Sequence, residues 1–199
     1  WCSAGLPLGG SERLGTPPSN EPAEALVPQD GPQAPLDWPQ SLGGAGLSIT
    51  SGGAAVDGSG NAFLTGHTSG ALDGENQGES DAFVAAYSAD GVAVWTRQLG
   101  TSEADTAAGI GIDDGGNVLV AGSTAGALAS EQHGFGDAFV AKYSADGVSV
   151  WTSQLGSDAP DAATGVSAAP GGASFVVGFT RGAPEGEARP GSDAAAFIA

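Results

Sequence analysis

Gly66-His67-Thr68-Ser69-Gly70 has the glycine spacing of a nucleophile elbow. That motif sets a Ser midway between its glycines, on a strained strand-to-helix turn. Here Thr68 holds the place, and the pattern G-x-T-x-G returns at residues 122–126 and 178–182. A nucleophile is needed once, whereas a strand-end turn is needed in every copy of a repeat. The motif therefore reads as a turn. Asp57 to Asn61 opens like a calcium loop, but an EF-hand needs Gly at its sixth position and Glu at its twelfth. Ala62 and Thr68 stand there. Gly43-Gly44-Ala45-Gly46 has the glycines of a calcium-binding nonapeptide repeat without its Asp, and occurs once. His67 and His133 are the only histidines and Cys2 the only cysteine, so no ligand set for zinc is present.

These motifs recur because the chain repeats itself. Residues 81–100 (DAFVAAYSADGVAVWTRQLG) return 56 positions later as residues 137–156, with only three changes: Ala86 to Lys142, Ala93 to Ser149 and Arg97 to Ser153. Trp38, Trp95 and Trp151 each precede a Leu-Gly by four residues, and Gly66, Gly122 and Gly178 keep the same interval. A fixed period of this length signals stacked supersecondary units. Within one repeat four strand-length pieces stand out: residues 108–112, 117–123, 138–143 and 148–155. They are rich in Val, Ile, Phe, Tyr and Trp and are divided by Gly/Asp/Asn turns. No long window carries a helical apolar stripe.

Four short antiparallel strands per repeat of about 56 residues predict an all-β chain of β-propeller blades. The small residues 53–56, 109–112 and 165–168 suit strands crowded at the axis, and the Trp suits the outermost strand. The expected divisions are an outer strand at 36–42, a blade at 53–99, a second at 109–155 and a truncated third at 165–199. That is about 2.5–3 blades. The third repeat loses the Asp and Asn of its first turn to Ala169 and Ala173, and Ile49 stands where the others have Asp105 and Asp161.

The run DAFVAKYSADG-x-x-x-W, followed by Asp-x-Ala and Gly-Ile-x-Ile-Asp-x-x-Gly-Asn-Val-x-Val-x-Gly, resembles the bacterial seven-bladed β-propeller repeat family (SBBP-type repeats). The likeness runs over roughly residues 36–199. It implies a scaffold in an exported or cell-surface protein rather than a reaction. Quinoprotein propellers also place a Trp in each blade, but no ligand set for a quinone is present, so Trp38, Trp95 and Trp151 are read as packing between blades.

Blade topology selects a face for function. Turns between strands one and two, and three and four, share one rim and are short and repetitive. The other rim carries residues 68–80, 101–107, 124–136, 157–164 and 180–192, which are longer and differ between repeats. Variation over a constant frame is how a scaffold carries a site. That rim holds Asp73, Glu75, Glu79, Glu103, Asp105, Glu131, Asp158, Asp161, Glu185 and Glu187 against Arg181 and Arg189. A cation such as calcium, or a basic partner, would suit it; no other cofactor is implied. The expected ligand is a protein or a carbohydrate, and the expected role is a non-catalytic binding or scaffold module. The alternative is the propeller part of an enzyme whose catalytic residues lie in missing blades or a fused domain.

Charge excludes other roles. The formal net charge is −18, with five basic residues in 199. Such a chain repels phosphate backbones and anionic membranes. No run reaches the roughly 18 apolar residues of a membrane helix. Residues 1–34 are dense in Pro, Gly, Ser and Glu and read as a disordered linker. Cys2 ahead of such a tether is the layout of a bacterial lipoprotein, with lipid on Cys2 and an outer-membrane or extracellular location. The chain has no starting Met and ends inside the repeat pattern, so the remaining blades of the same propeller are expected partners. Residues 36–42 are expected to close the ring on the last blade.

Overall fold

Strands form where the apolar runs predict them, because each run is long enough for a strand and each punctuating Gly or Asp supplies a turn. The computed structural model describes residues 42–43 and 47–182, with the backbone of residues 195–198. All fall in the unit Asp37–Ala199. Cys2, the linker 1–34, Trp38, residues 36–41 of the expected outer strand, residues 44–46, and Glu185, Glu187 and Arg189 lie outside the described residues.

Among the described residues every regular element is a strand. Blade 1 comprises β1 (Ile49–Val56), β2 (Ala62–Thr68), β3 (Asp81–Tyr87) and β4 (Ala93–Leu99). Blade 2 comprises β5 (Asp105–Ile112), β6 (Val118–Thr124), β7 (Asp137–Tyr143) and β8 (Ser149–Leu155). Blade 3 has β9 (Asp161–Ala168), β10 (Ser174–Thr180) and β11 (Ala195–Ile198). Each sheet is antiparallel with strands in chain order. The three sheets are four-, four- and three-stranded and do not close on one another.

The inner strands begin four residues earlier than the apolar pattern suggests. A bulge between Ser51 and Gly53, repeated between Ala107 and Gly109, lets β1 and β5 continue outward through residues of low apolar content. Opposite each bulge lies the repeated glycine. A Cβ on Gly66 would strike the Thr50 carbonyl, and one on Gly122 the Thr106 carbonyl. Close backbone approach fixes glycine at this place in the first two repeats.

The core lies between blades. Phe63, Val84 and Ala86 of blade 1 join Val118, Val120 and Tyr143 of blade 2 in one buried cluster. Ala121 and Ala138 of blade 2 meet Ala163 and Val176 of blade 3 in another. β6 is therefore buried on both faces, which is why its sequence does not alternate. The rear of blade 1, formed by Phe83, Ala85 and Tyr87, packs with Leu42, Ile49 and Leu72.

Candidate functional site: the long-loop rim

Chain-order pairing places the β2–β3 and β6–β7 loops, with the interblade connections 100–104 and 156–160, on one rim. Buried polar side chains build each loop from below. Asp81, the first residue of β3, accepts the Gln77 N–H at 2.9 Å and a Gln98 Nε2–H at 2.8 Å. One blade on, Asp137 accepts from His133 N–H and, at 2.7 Å, from Gln154 Nε2. Gln98 and Gln154 also hold the loops directly. Their Oε1 atoms accept the N–H of Leu72 and of Leu128, and their Nε2 groups donate to the carbonyls of Gly70 and Gly126.

The acidic residues of this rim divide into two kinds. Asp73, Glu75, Glu79, Glu103, Glu131 and Asp158 face solvent. Asp73 takes an ion pair from Arg97 at 3.3 Å. Asp105 and Asp161 instead open β5 and β9 and are buried. Asp105 Oδ2 accepts the backbone N–H and hydroxyl of Thr101, at 2.6 and 3.0 Å. Asp161 Oδ2 accepts both groups of Ser157, at 2.6 and 2.7 Å. The two are loop anchors rather than ligand-facing carboxylates. Burial pushes the Asp105 carboxyl above the usual range, and the nearby Asp81 charge adds to this against the hydrogen bonds from Thr124 and Thr101. Among the described residues no three His, Cys, Asp or Glu side chains converge as metal ligands.

The G-x-T-x-G motif has its structural answer here. Thr68, Thr124 and Thr180 are buried, and each hydroxyl accepts an N–H from the glycine two residues on. A nucleophile's oxygen must be open to substrate, and these are enclosed in their own turns. The calcium-like sequence is also self-satisfied. Asp57 accepts the N–H groups of Ser59 and Asn61 and the Asn61 amide. Asp113 does the same with Gly115 and Asn117 and pairs with Lys142 at 2.7 Å. Burial raises the Asp113 carboxyl's affinity for its proton, but the Lys142 ammonium and the Asn117 and Gly115 donors outweigh it and hold that carboxyl far below its usual range. A cleft of about 460 Å³ separates these two turns on the short-turn rim. Its Asp57 and Asp113 oxygens are already engaged. In the third repeat, where Ala169 and Ala173 replace the pair, backbone bonds hold the turn: Ala169 N–H to the Ala173 carbonyl at 2.8 Å, and Gly172 N–H to the Ala169 carbonyl at 3.3 Å.

The seam between blades 1 and 2 is latched from the outer strand. Trp95 Nε1–H donates to the Ala145 carbonyl at 2.9 Å, and its ring lies 6.4 Å from that of Tyr143. Arg97 Nε–H donates to the Gly147 carbonyl at 2.7 Å. Residues 94–128, which run from β4 across this seam through β6, match the family model SBBP, described as Beta-propeller repeat. The chain carries an SBBP β-propeller repeat. No curated protein matches the chain. The matched SBBP segment begins with the latch strand of blade 1 and continues into the inner strands of blade 2, so it spans the junction between them.

One rim feature escaped the sequence reading. Phe135, next to the β7 start, is 82% exposed. It stands where the first repeat has Glu79. A β-rich sequence in which Phe63, Phe83 and Phe139 are buried gives no pattern that singles out an exposed Phe. The local signal is Gly134-Phe135-Gly136, an aromatic between two glycines in a loop that differs between the repeats of this chain.

Proposed function

We propose that this chain is a non-catalytic propeller scaffold of an exported or cell-surface protein, binding a carbohydrate or protein ligand on the long-loop rim. The observation that carries the reading is Phe135, a large apolar ring held in solvent on a rim of exposed carboxylates. A ring face stacks on sugar C–H groups or an apolar side chain, and Glu131 and Asp158 on the flanking loops accept hydrogen bonds from hydroxyl or cationic groups. Near-identical hairpins in successive blades support a frame without a unique catalyst. Cys2 ahead of a Pro/Gly/Ser/Glu-rich stretch supports surface attachment through a lipidated N-terminus, which mass spectrometry of the native protein would detect as a diacylglyceryl adduct.

A glycan array and a lysine-rich peptide array, probed with wild type and Phe135→Ala, test the binding role. The expected result is a defined set of hits on one array whose signal falls at least ten-fold in the variant, with an unchanged melting temperature. Hits that survive Phe135→Ala, or none on either array, would reject this rim as the ligand face.

A further inference from the structure

The long-loop rim is one continuous surface, because each blade's loop is packed against the interblade connections on either side of it. Gly78 of the β2–β3 loop is so close to the connection that follows that a Cβ on it would strike the Thr101 carbonyl. The Thr101 hydroxyl lies in turn against Gly126, where the β6–β7 loop begins. One blade on, the order repeats: Gly134 abuts the backbone of Asp158 and Ala159, and Gly182 abuts the Ser157 hydroxyl. The exposed side chains of Glu79, Glu103, Phe135 and Asp158 therefore follow one another on adjoining segments of the rim.

The two loops are braced alike and differ in what they display. In the first, Asn76 Oδ1 accepts the Gly78 N–H at 3.0 Å, and Asp81 accepts the Gln77 N–H. In the second, the Gln132 amide donates to the Gly134 carbonyl at 2.8 Å, and Asp137 accepts the His133 N–H. Glu79 and Phe135 hold the same place in this frame, each two residues before the Asp that opens the next strand. A carboxylate serves the fold at that place, so no packing requirement explains the ring. Held in water on a braced loop, it offers an apolar face to a ligand at little cost in ordering.

The charge around the ring is of one sign. Among the described residues, Glu79, Glu103, Glu131 and Asp158 have no ion-pair partner. Arg97 is engaged by Asp73 and the Gly147 carbonyl, and Lys142 by Asp113 on the opposite rim. That leaves Arg181, at the start of the next loop, as the strong cation of this rim among the described residues. Carboxylates accept hydrogen bonds and donate none. A neutral sugar gains nothing from their charge, and a polyanion is repelled by it. We infer that the rim docks an extended basic polypeptide, with an apolar side chain on Phe135 and Lys or Arg groups over Glu103 and Asp158 on the segments either side. This rests on the long-loop rim being the ligand face, and it narrows the ligand to a protein whose docking segment carries basic residues on both sides of an apolar one.

Fluorescence anisotropy on the full 199-residue chain tests this with three labelled probes. They are the peptide Lys-Lys-Leu-Lys-Lys, the same peptide with Ser in place of Leu, and a chitosan oligomer as a cationic sugar. The Leu peptide should bind at least ten-fold tighter than the other two, and its affinity should fall at least ten-fold as salt rises from about 0.03 M to about 0.3 M. Phe135→Glu, which installs the residue of the first repeat, should abolish the preference for Leu at an unchanged melting temperature. Glu103→Gln should weaken both peptides and flatten the salt dependence. Asp90→Asn, at an exposed site in the β3–β4 turn of the opposite rim, should leave both unchanged. Equal binding of the two peptides, a Leu preference that survives Phe135→Glu, or equal losses from Glu103→Gln and Asp90→Asn would overturn the inference. A chitosan or other glycan held through Phe135, with neither peptide bound, would overturn it too but keep the rim as the ligand face. Binding of no peptide and no glycan would reject both readings.

Discussion

At the residue scale, buried aspartates decide how the rim is held. Asp81 and Asp105 are both fully enclosed, and one oxygen of each, Oδ1, has no partner at good hydrogen-bond geometry among the described residues. Burying a carboxylate with an unpaired oxygen is costly, and the cost is removed when the group is neutral. For Asp105 the consequence has a definite sign. Its folded-state pKa lies above the ordinary 3.8, burial being the largest cause. Above pH 3.8 the unfolded chain releases this proton while the folded chain still holds it. The stability it contributes is thus fully present below that pH and is lost as pH rises through the folded value. Asp105→Asn keeps an oxygen for the Thr101 N–H and supplies a neutral donor at the unpartnered site. The melting temperature of Asp105→Asn minus that of wild type should rise as pH increases above 3.8 and level off once the folded carboxyl has lost its proton. A flat or falling difference would show that the carboxylate is not strained by its burial.

At the element scale, near-identical outer strands have different worth because their neighbours differ and because Arg97, which donates to the Gly147 carbonyl, is Ser153 in the second. Trp95 is half-buried, in tilted contact with the Phe63 and Tyr143 rings, and hydrogen-bonded to the Ala145 carbonyl. A Cβ on Gly147 would stand 2.6 Å from its ring, and Gly147 adopts φ +75°, so glycine serves both the turn and the latch. Trp151, in the same sequence context, is 40% exposed beside an apolar gap of about 200 Å³ lined by Val140, Leu155 and Val176. Trp95→Ala should cost about 3 kcal/mol in urea unfolding, at the lower end of large-to-small aromatic losses, and Trp95→Phe about 1 kcal/mol for the lost hydrogen bond. Trp151→Ala should cost well under half of the Trp95→Ala loss; equal costs would refute the latch. The sequence made the frame legible at this scale. Repeated Asp-Gly turns and 56-residue spacing give the blades, the strand order and the rim on which loops vary. It hid the first four residues of each inner strand, because Ile49-Thr50-Ser51-Gly52 and Asp105-Thr106-Ala107-Ala108 are held by a bulge that hydrophobicity does not report. It also merged buried and exposed acids. Asp105 and Glu103 are two residues apart with the same charge, and only the strand start separates an anchor from a surface group.

At the scale of the whole molecule, stability is set by how many neighbours each blade has. In a stacked array each unit's free energy is its own plus that of its interfaces, so units with two interfaces open last. Blade 2 is covered on both sides: Val118 and Ala121 of β6, which face opposite neighbours, are both fully buried. Blade 1 has one full seam and a partly covered rear. Blade 3 has the small seam of Ala121, Ala138, Ala163 and Val176, and its other face is open at Phe175 and Val177. Amide exchange should therefore be graded, with β9 and β10 exchanging first, β2 and β3 next, and β6 and β7 last. The expected spread between β10 and β6 is at least ten-fold, about 1.4 kcal/mol of local opening free energy. Uniform exchange across all three blades would mean that the sheets unfold as one cooperative body. The interfaces between blades would then not be the separable source of stability that the packing describes.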